Sequence, residues 1–177
     1  IFENNSEYSL DHFIYANNSF RPSLNEFWKE TYDLILFDNH PIKEMGDKWG
    51  TYRKAFAKKL LSHKSNFGII YGDNIDYNNI KQYLELFDLS SESDELKKNE
   101  IYDWSFTNLW KELFPFHAIS SKIDNDYLLL PPLKPGLKIK SEDGKVLASF
   151  NNSDLLHPII LIGEKNNLRY FIWTTSD

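Results

Sequence analysis

The hydrophobic and polar positions between residues 32 and 74 form a pattern of two apolar runs joined by one amphipathic segment. The first run, Tyr32-Asp33-Leu34-Ile35-Leu36-Phe37, closes on Asp38-Asn39-His40-Pro41. The second, Phe67-Gly68-Ile69-Ile70-Tyr71, closes on Gly72-Asp73-Asn74. Between them Trp49, Tyr52, Phe56, Leu60 and Leu61 recur at helical spacing, with Arg53, Lys54, Lys58 and Lys59 expected mostly on the opposite, solvated side. Continuous apolar strands bracketing a helix predict a β-α-β unit of a parallel sheet, each strand buried on both faces. In such sheets ligands sit beyond the carboxyl ends of the strands. Asp38, Asn39, His40, Tyr71, Gly72, Asp73 and Asn74 are therefore the candidate ligand-binding residues.

The flanking segments extend this frame. Residues 11–16 predict a brief strand ended by Asn17-Asn18, and Pro22-Ser23 a helix start with Ser23 as N-cap and Glu26 at capping-box spacing. Residues 75–87 predict a helix with Asp76 as cap, 90–100 a polar loop, and 104–116 a helix stopped at Pro115. The last third changes character, with a strand at 127–130 stopped by Pro131-Pro132. A hairpin is expected between 137–140 and 146–150 around Gly144, and a second between 158–162 and 168–174 around residues 163–167. The expected architecture is a single α/β domain over residues 1–177. It is a three-layer sandwich with a mostly parallel sheet, helices on both faces, and an antiparallel β extension from the C-terminal third.

Composition narrows the function classes. The 177 residues are 41% hydrophobic and 16% aromatic, enough for a packed core. A net charge of −6 suits solubility and gives no basic face for nucleic acid. Cysteine is absent, which removes disulfides, thiolate metal sites and a cysteine nucleophile together. No apolar run approaches the roughly 18 residues of a membrane span. The start at Ile1 and the stop just after an apolar strand read as a domain excised from a larger protein.

The sites of common chemistries are missing. There is no Gly-x-Gly-x-x-Gly, no phosphate-binding Gly-x-x-x-x-Gly-Lys-Ser/Thr and no Gly-x-Ser-x-Gly elbow. The histidines at 12, 40, 63, 117 and 157 lack metal-ligand spacing, so no metal and no cofactor are expected. His63 suits the end of a helix and His157 a surface turn. His40, past a central strand, is the histidine placed to meet a ligand. Asp38 also looks like the phosphoacceptor of a receiver domain, but the preceding strand ends Ala16-Asn17-Asn18 without the acidic pair that would hold magnesium. A metal site from Asp38, Asp73 and Asp76 is conceivable by oxygen-ligand chemistry.

Three stretches carry a family resemblance. Tyr32-Asp33-Leu34-Ile35-Leu36-Phe37-Asp38-Asn39 is similar to a "YDLIILDN" strand, and Phe67 to Gly72 falls where a "GGLLVIGG" strand stands. Pro158 to Glu164 followed by Arg169 to Asp177 is similar to a "P-x-L-x-x-G-x-x-x-x-G-R-x-x-x-x-T-x-D" ending. Together these resemble the class I glutamine amidotransferase-like superfamily, in the non-catalytic form found in bacterial membrane-anchored proteins related to von Willebrand A and aerotolerance proteins. Catalytic members carry Gly-x-Cys-x-Gly where this chain reads Gly68-x-Ile70-x-Gly72, so Ile70 occupies a degenerate nucleophile slot and the thioester route is closed. The resemblance implies a non-enzymatic binding module with no catalytic residues, taking a protein partner or small ligand. It implies an extracytoplasmic, periplasmic location in a membrane protein reached through flanking segments, with the cytoplasm as the alternative. A hydrolase or sugar-modifying enzyme of the trehalose-utilisation type, using Asp38, His40, Asp73 or His117, is the competing reading. A receiver-like phosphoacceptor at Asp38 is the third.

Overall fold

The computed structural model describes residues 9–72, 75, 81, 84–85, 89–92, 100–115, 132–136, 138–151 and 157–175. The chain divides into two compact units, Ile1–Tyr32 and Asp33–Asp177.

In the first unit, strands β1 (Ile14–Ala16) and β2 (Ser19–Arg21) pair antiparallel. Asn17 and Asn18 turn between them with φ of 51° and 64°. Two left-handed residues are what a tight hairpin matching the strand twist requires, and asparagine tolerates that region. Helix α1 (Asn25–Lys29) follows, and its cap position falls on Leu24 without a side-chain hydrogen bond. The expected Ser23 cap is corrected: Leu24 is buried at 8% exposure, and burying it takes precedence over a capping bond at Ser23. Phe27 anchors this unit, with its ring 5.6 Å from Phe13, 4.9 Å from Trp28 and 5.5 Å from Tyr32. The Tyr32 hydroxyl donates to Asp11 at 3.0 Å. Burial, then the Asp11 carboxylate, push its pKa up to about 12.

The second unit is a mixed α/β fold. Its six-stranded sheet comprises β3 (Leu34–Asp38), β4 (Asn66–Ile70), β6 (Trp104–Phe106), β8 (Lys145–Phe150), β9 (Pro158–Lys165) and β10 (Leu168–Trp173). The spatial order is β3-β4-β10-β9-β8-β6. Strands β5 (Ser90–Glu92) and β7 (Lys138–Lys140) form a separate antiparallel pair. The β-α-β unit is present: helix α2 (Lys48–His63) joins β3 to β4, which pair in parallel from Leu34↔Asn66 to Asp38↔Ile70.

Four expectations are corrected. First, the sheet is mixed rather than mostly parallel: β3–β4 and β4–β10 are parallel, while β10–β9, β9–β8 and β8–β6 are antiparallel. The C-terminal hairpin enters the sheet beside β4, and consecutive strands joined by a tight turn pair only antiparallel. Second, β3 is buried on one face. Ile35 and Phe37 are covered, but Leu34 and Leu36 are 49% and 43% exposed, because α2 packs on the Phe37 side. Third, β7 does not form a hairpin with β8. The apolar β8 takes a place flanked by β9 and β6, which leaves the Lys-Ile-Lys strand to pair with β5, in a segment expected to be loop. Fourth, Trp104–Phe106 is strand, and helix α3 covers only Asn108–Leu113. The alternating aromatics of Trp-Ser-Phe suit a pleated surface.

Helix α2 buries Trp49, Phe56 and Leu60, as its pattern predicts, but also Lys59, while Leu61 is 45% exposed. Turning at 3.6 residues per turn places Lys59 about 60° from Phe56 and Leu61 about 140° away, so the lysine shares the apolar stripe and the leucine leaves it. A second cluster centres on Leu147, Ala148, Phe150, Ile159 and Ile160, with Trp104, Phe106, Trp173 and the α3 residues Leu109 and Trp110 packed against it. The strand expected at 127–130 lies outside the described residues. So does most of the helix expected at 75–87, of which Lys81, Leu84 and Glu85 are described as helical.

Candidate functional site

The parallel register brings the ends of β3 and β4 side by side, with Asp38 opposite Ile70 and Trp173 on the far side of Ile70. Ile70 is thus a regular strand residue paired on both sides, not a residue on a tight turn. Beyond it, the Asn39 amide donates to the Ile70 carbonyl at 2.9 Å and the Tyr71 amide to the Trp173 carbonyl at 2.8 Å, continuing the ladder by one step.

Asn39 has φ of 47°. Its carboxamide packs onto Gly72, where any Cβ would collide with it, and its Oδ1 is buried with no hydrogen-bond partner among the described residues. Gly72 is therefore explained by the Asn39 side chain rather than by phosphate or oxyanion chemistry. Tyr71 is held similarly: its ring lies against Gly136, whose bare Cα also abuts the Thr174 carbonyl. Thr174 is buried and donates to the Pro158 carbonyl at 2.7 Å, and Thr175 accepts from the Trp173 indole at 2.7 Å.

His40 packs among aromatic rings. Its ring stacks on Phe37 at 5.9 Å and meets Trp49 and Phe56 edge-on at 5.0 and 5.9 Å. Burial lowers its pKa to about 4, so the imidazole is neutral at physiological pH. The peptide between His40 and Pro41 is cis. Asp38 belongs to the other face: it alternates with Phe37 along β3 and shares the exposed side with Leu34 and Leu36. Asp38 and His40 do not converge. The structure brings Asn39 to Gly72, and Tyr71 to Gly136 and Thr174. Asp73, Asn74, Asp76 and His117 lie outside the described residues. Among the described residues no group of three or more acidic or histidine side chains is placed to hold a metal ion. His157, expected at a surface turn, is 4% exposed and packs edge-on against Phe150 at 5.6 Å, a correction that follows from its position at the entry to the buried strand β9.

Two depressions lie toward the opposite, amino-terminal ends of the parallel strands. One of about 540 Å³ involves Leu34, Asn66, Arg169 and Phe171. The other, of about 710 Å³, involves Ser141, Tyr170 and several charged groups. Sequence reasoning passed over these residues because no motif joins them. One signal was available: Gly163 faces Tyr170 across the hairpin, a glycine that leaves room for an aromatic ring.

No family model matches the sequence, and no curated protein matches it. Among solved structures, the chain is similar to part of the crystal structure of a novel carbohydrate deacetylase, with a TM-score of 0.45 and 11% sequence identity, over 82% of this chain and 22% of that one. The chain therefore spans less than a quarter of that protein's length.

Proposed function

We propose that this chain is a non-enzymatic, amidotransferase-like binding module that takes a protein partner or a small ligand. The observation that supports the reading is the sidedness of the β3 end. General acid–base chemistry needs groups within hydrogen-bond reach of one reacting atom. Here Asp38 faces the exposed side of the sheet, while His40 is held neutral among Phe37, Trp49 and Phe56 on the other. The aliphatic Ile70 in the nucleophile slot and the absence of cysteine agree with it.

In this reading the six-stranded sheet is the middle of three layers, and the module is the extracytoplasmic part of a bacterial membrane-anchored protein. The membrane is reached through flanking segments. Among the described residues no helix is long and apolar enough to cross a membrane, which does not bear on strands.

The test is turnover by the purified protein. Glutamine, chromogenic glycosides and acetylated sugars are each incubated with wild type and Asp38→Asn, and acetyl phosphate with magnesium tests phosphoryl transfer. The expected result is no product above the buffer blank. Turnover of any substrate that disappears in Asp38→Asn sinks the proposal, and a sugar substrate specifically would establish the sugar-modifying reading in its place.

A further inference from the structure

Strand β3 leaves one side of its backbone open. The Asp33 carbonyl accepts from the Asn66 amide at 3.1 Å, and the Asn39 amide donates to the Ile70 carbonyl at 2.9 Å. In a strand the N–H and C=O of one residue point to the same side, and the side alternates from residue to residue. Residues 33, 35, 37 and 39 therefore turn their backbone groups toward β4, and Leu34, Leu36 and Asp38 turn theirs away from it. β3 ends the sheet, and among the described residues no backbone group pairs with these three.

An unpaired edge is a template for another strand, and proteins blunt such edges with short strands, lysine, proline or a bulge. The opposite edge follows that rule, since β6 is three residues long. β3 is five residues long, in unbroken register with β4, and carries neither lysine nor proline. Leu34 and Leu36 are exposed, and Leu36 adjoins Gly68 and the half-buried Phe171 ring. An open backbone edge and an apolar face thus lie side by side.

The order of the outward residues suits a second copy of the same strand. In an antiparallel pair about a two-fold axis through Leu36, the two Leu36 residues exchange both backbone bonds. Leu34 and Asp38 exchange theirs with the second copy's Asp38 and Leu34, so every outward N–H and C=O of the strand is used. Leucine meets leucine on the axis, with Cα atoms about 5.5 Å apart. Asp38, the one charged residue of β3, faces a leucine and stands about 14 Å along the strand from its own equivalent. Like charges directly opposite would oppose such pairing, and this register creates none.

We propose that β3 is a homodimerisation edge, at which two copies of this chain join through antiparallel β3–β3 pairing centred on Leu36. Two five-residue strands make a smaller contact than a standard complex, so the dimer forms at roughly 100 μM protein. The inference rests on backbone geometry and is independent of the non-enzymatic reading.

The test is sedimentation velocity on the full chain from about 10 to about 500 μM, with amide exchange by NMR at both ends of the range. Wild type is expected to shift from monomer to dimer. The Leu34, Leu36 and Asp38 amides gain protection at the high end, whereas those of Ile35 and Phe37 are protected throughout. Leu36→Lys and Leu36→Glu each set like charges across the axis and weaken dimerisation about tenfold. Mixed in equal amounts, the two variants dimerise more tightly than either alone. Where a charged variant fails to fold by circular dichroism, the wild-type exchange pattern decides. A wild type that stays monomeric over the whole range overturns the proposal. So does a dimer indifferent to both substitutions, or one that leaves the three outward amides unprotected. None of these outcomes touches the non-enzymatic reading, which turnover decides.

Discussion

His40 makes the sharpest prediction about this protein, since burial among Phe37, Trp49 and Phe56 gives it a measurable acid sensitivity. Its pKa is about 4 in the folded protein, against 6.5 when free. Between these values the unfolded chain binds a proton that the folded chain refuses, so stability rises with pH through this window. The contribution is fully present above pH ~6.5 and is lost as pH falls toward ~4, at about 1.4 kcal/mol per pH unit within the window. Between pH 7 and pH 5 this one imidazole costs about 2 kcal/mol of stability. His40→Phe keeps an aromatic ring in the aromatic surround and removes the titration. Urea unfolding followed by tryptophan fluorescence at pH 5, 6 and 7 measures the difference, and the carboxylates common to both proteins cancel. Wild type should lose about 2 kcal/mol more than His40→Phe over this range. Parallel pH profiles for the two proteins, or an NMR titration placing the His40 pKa near its free value, would refute the packing argument.

Two further substitutions probe the sheet. Gly68 lies beneath the Phe171 ring and close to Leu36, so Gly68→Val should destabilise by about 1–3 kcal/mol. Most of that cost should disappear in a Phe171→Ala background, as a double-mutant cycle by chemical denaturation would show. Leu36→Lys, on the uncovered side of β3, should change stability by no more than about 0.5 kcal/mol, whereas Ile35→Ala, on the covered side, should cost about 2–5 kcal/mol. Equal costs at the two positions would mean that both faces of β3 are packed.

The β3-α2-β4 unit was legible because its signals are local: two apolar runs and a helical stripe leave little choice of element. What local pattern did not carry was partnership. Lys138-Ile139-Lys140 and Val146–Phe150 look like two arms of a hairpin, yet β7 pairs with β5 and β8 with β9 and β6. Neither preference is encoded in the turn; both are settled by where an apolar strand gains two neighbours. Leu34 and Leu36 misled for a related reason, since an apolar run predicts burial only where a second layer exists to cover it. At the candidate site, strand-end positions were correctly placed for Asp38, Asn39, His40 and Tyr71. Chemistry was not, because the side on which a residue falls after its strand ends depends on packing. Asn39 sits over Gly72 and His40 enters the α2 side, contacts that only the folded chain defines.

The place of β10 between β4 and β9 has a consequence for how the chain is made. A ribosome delivers β3, α2 and β4 early, but the strand that completes the other edge of β4 follows roughly 100 residues later. At bacterial and eukaryotic elongation rates that is a wait of about 5–20 s. Throughout it, β4 presents an unpaired parallel edge bearing Phe67 and Ile69, side chains that end up 1% exposed. Until β10 arrives that edge is open to pairing between two unfinished copies, and synonymous codons that speed translation of residues 71–167 shorten the interval.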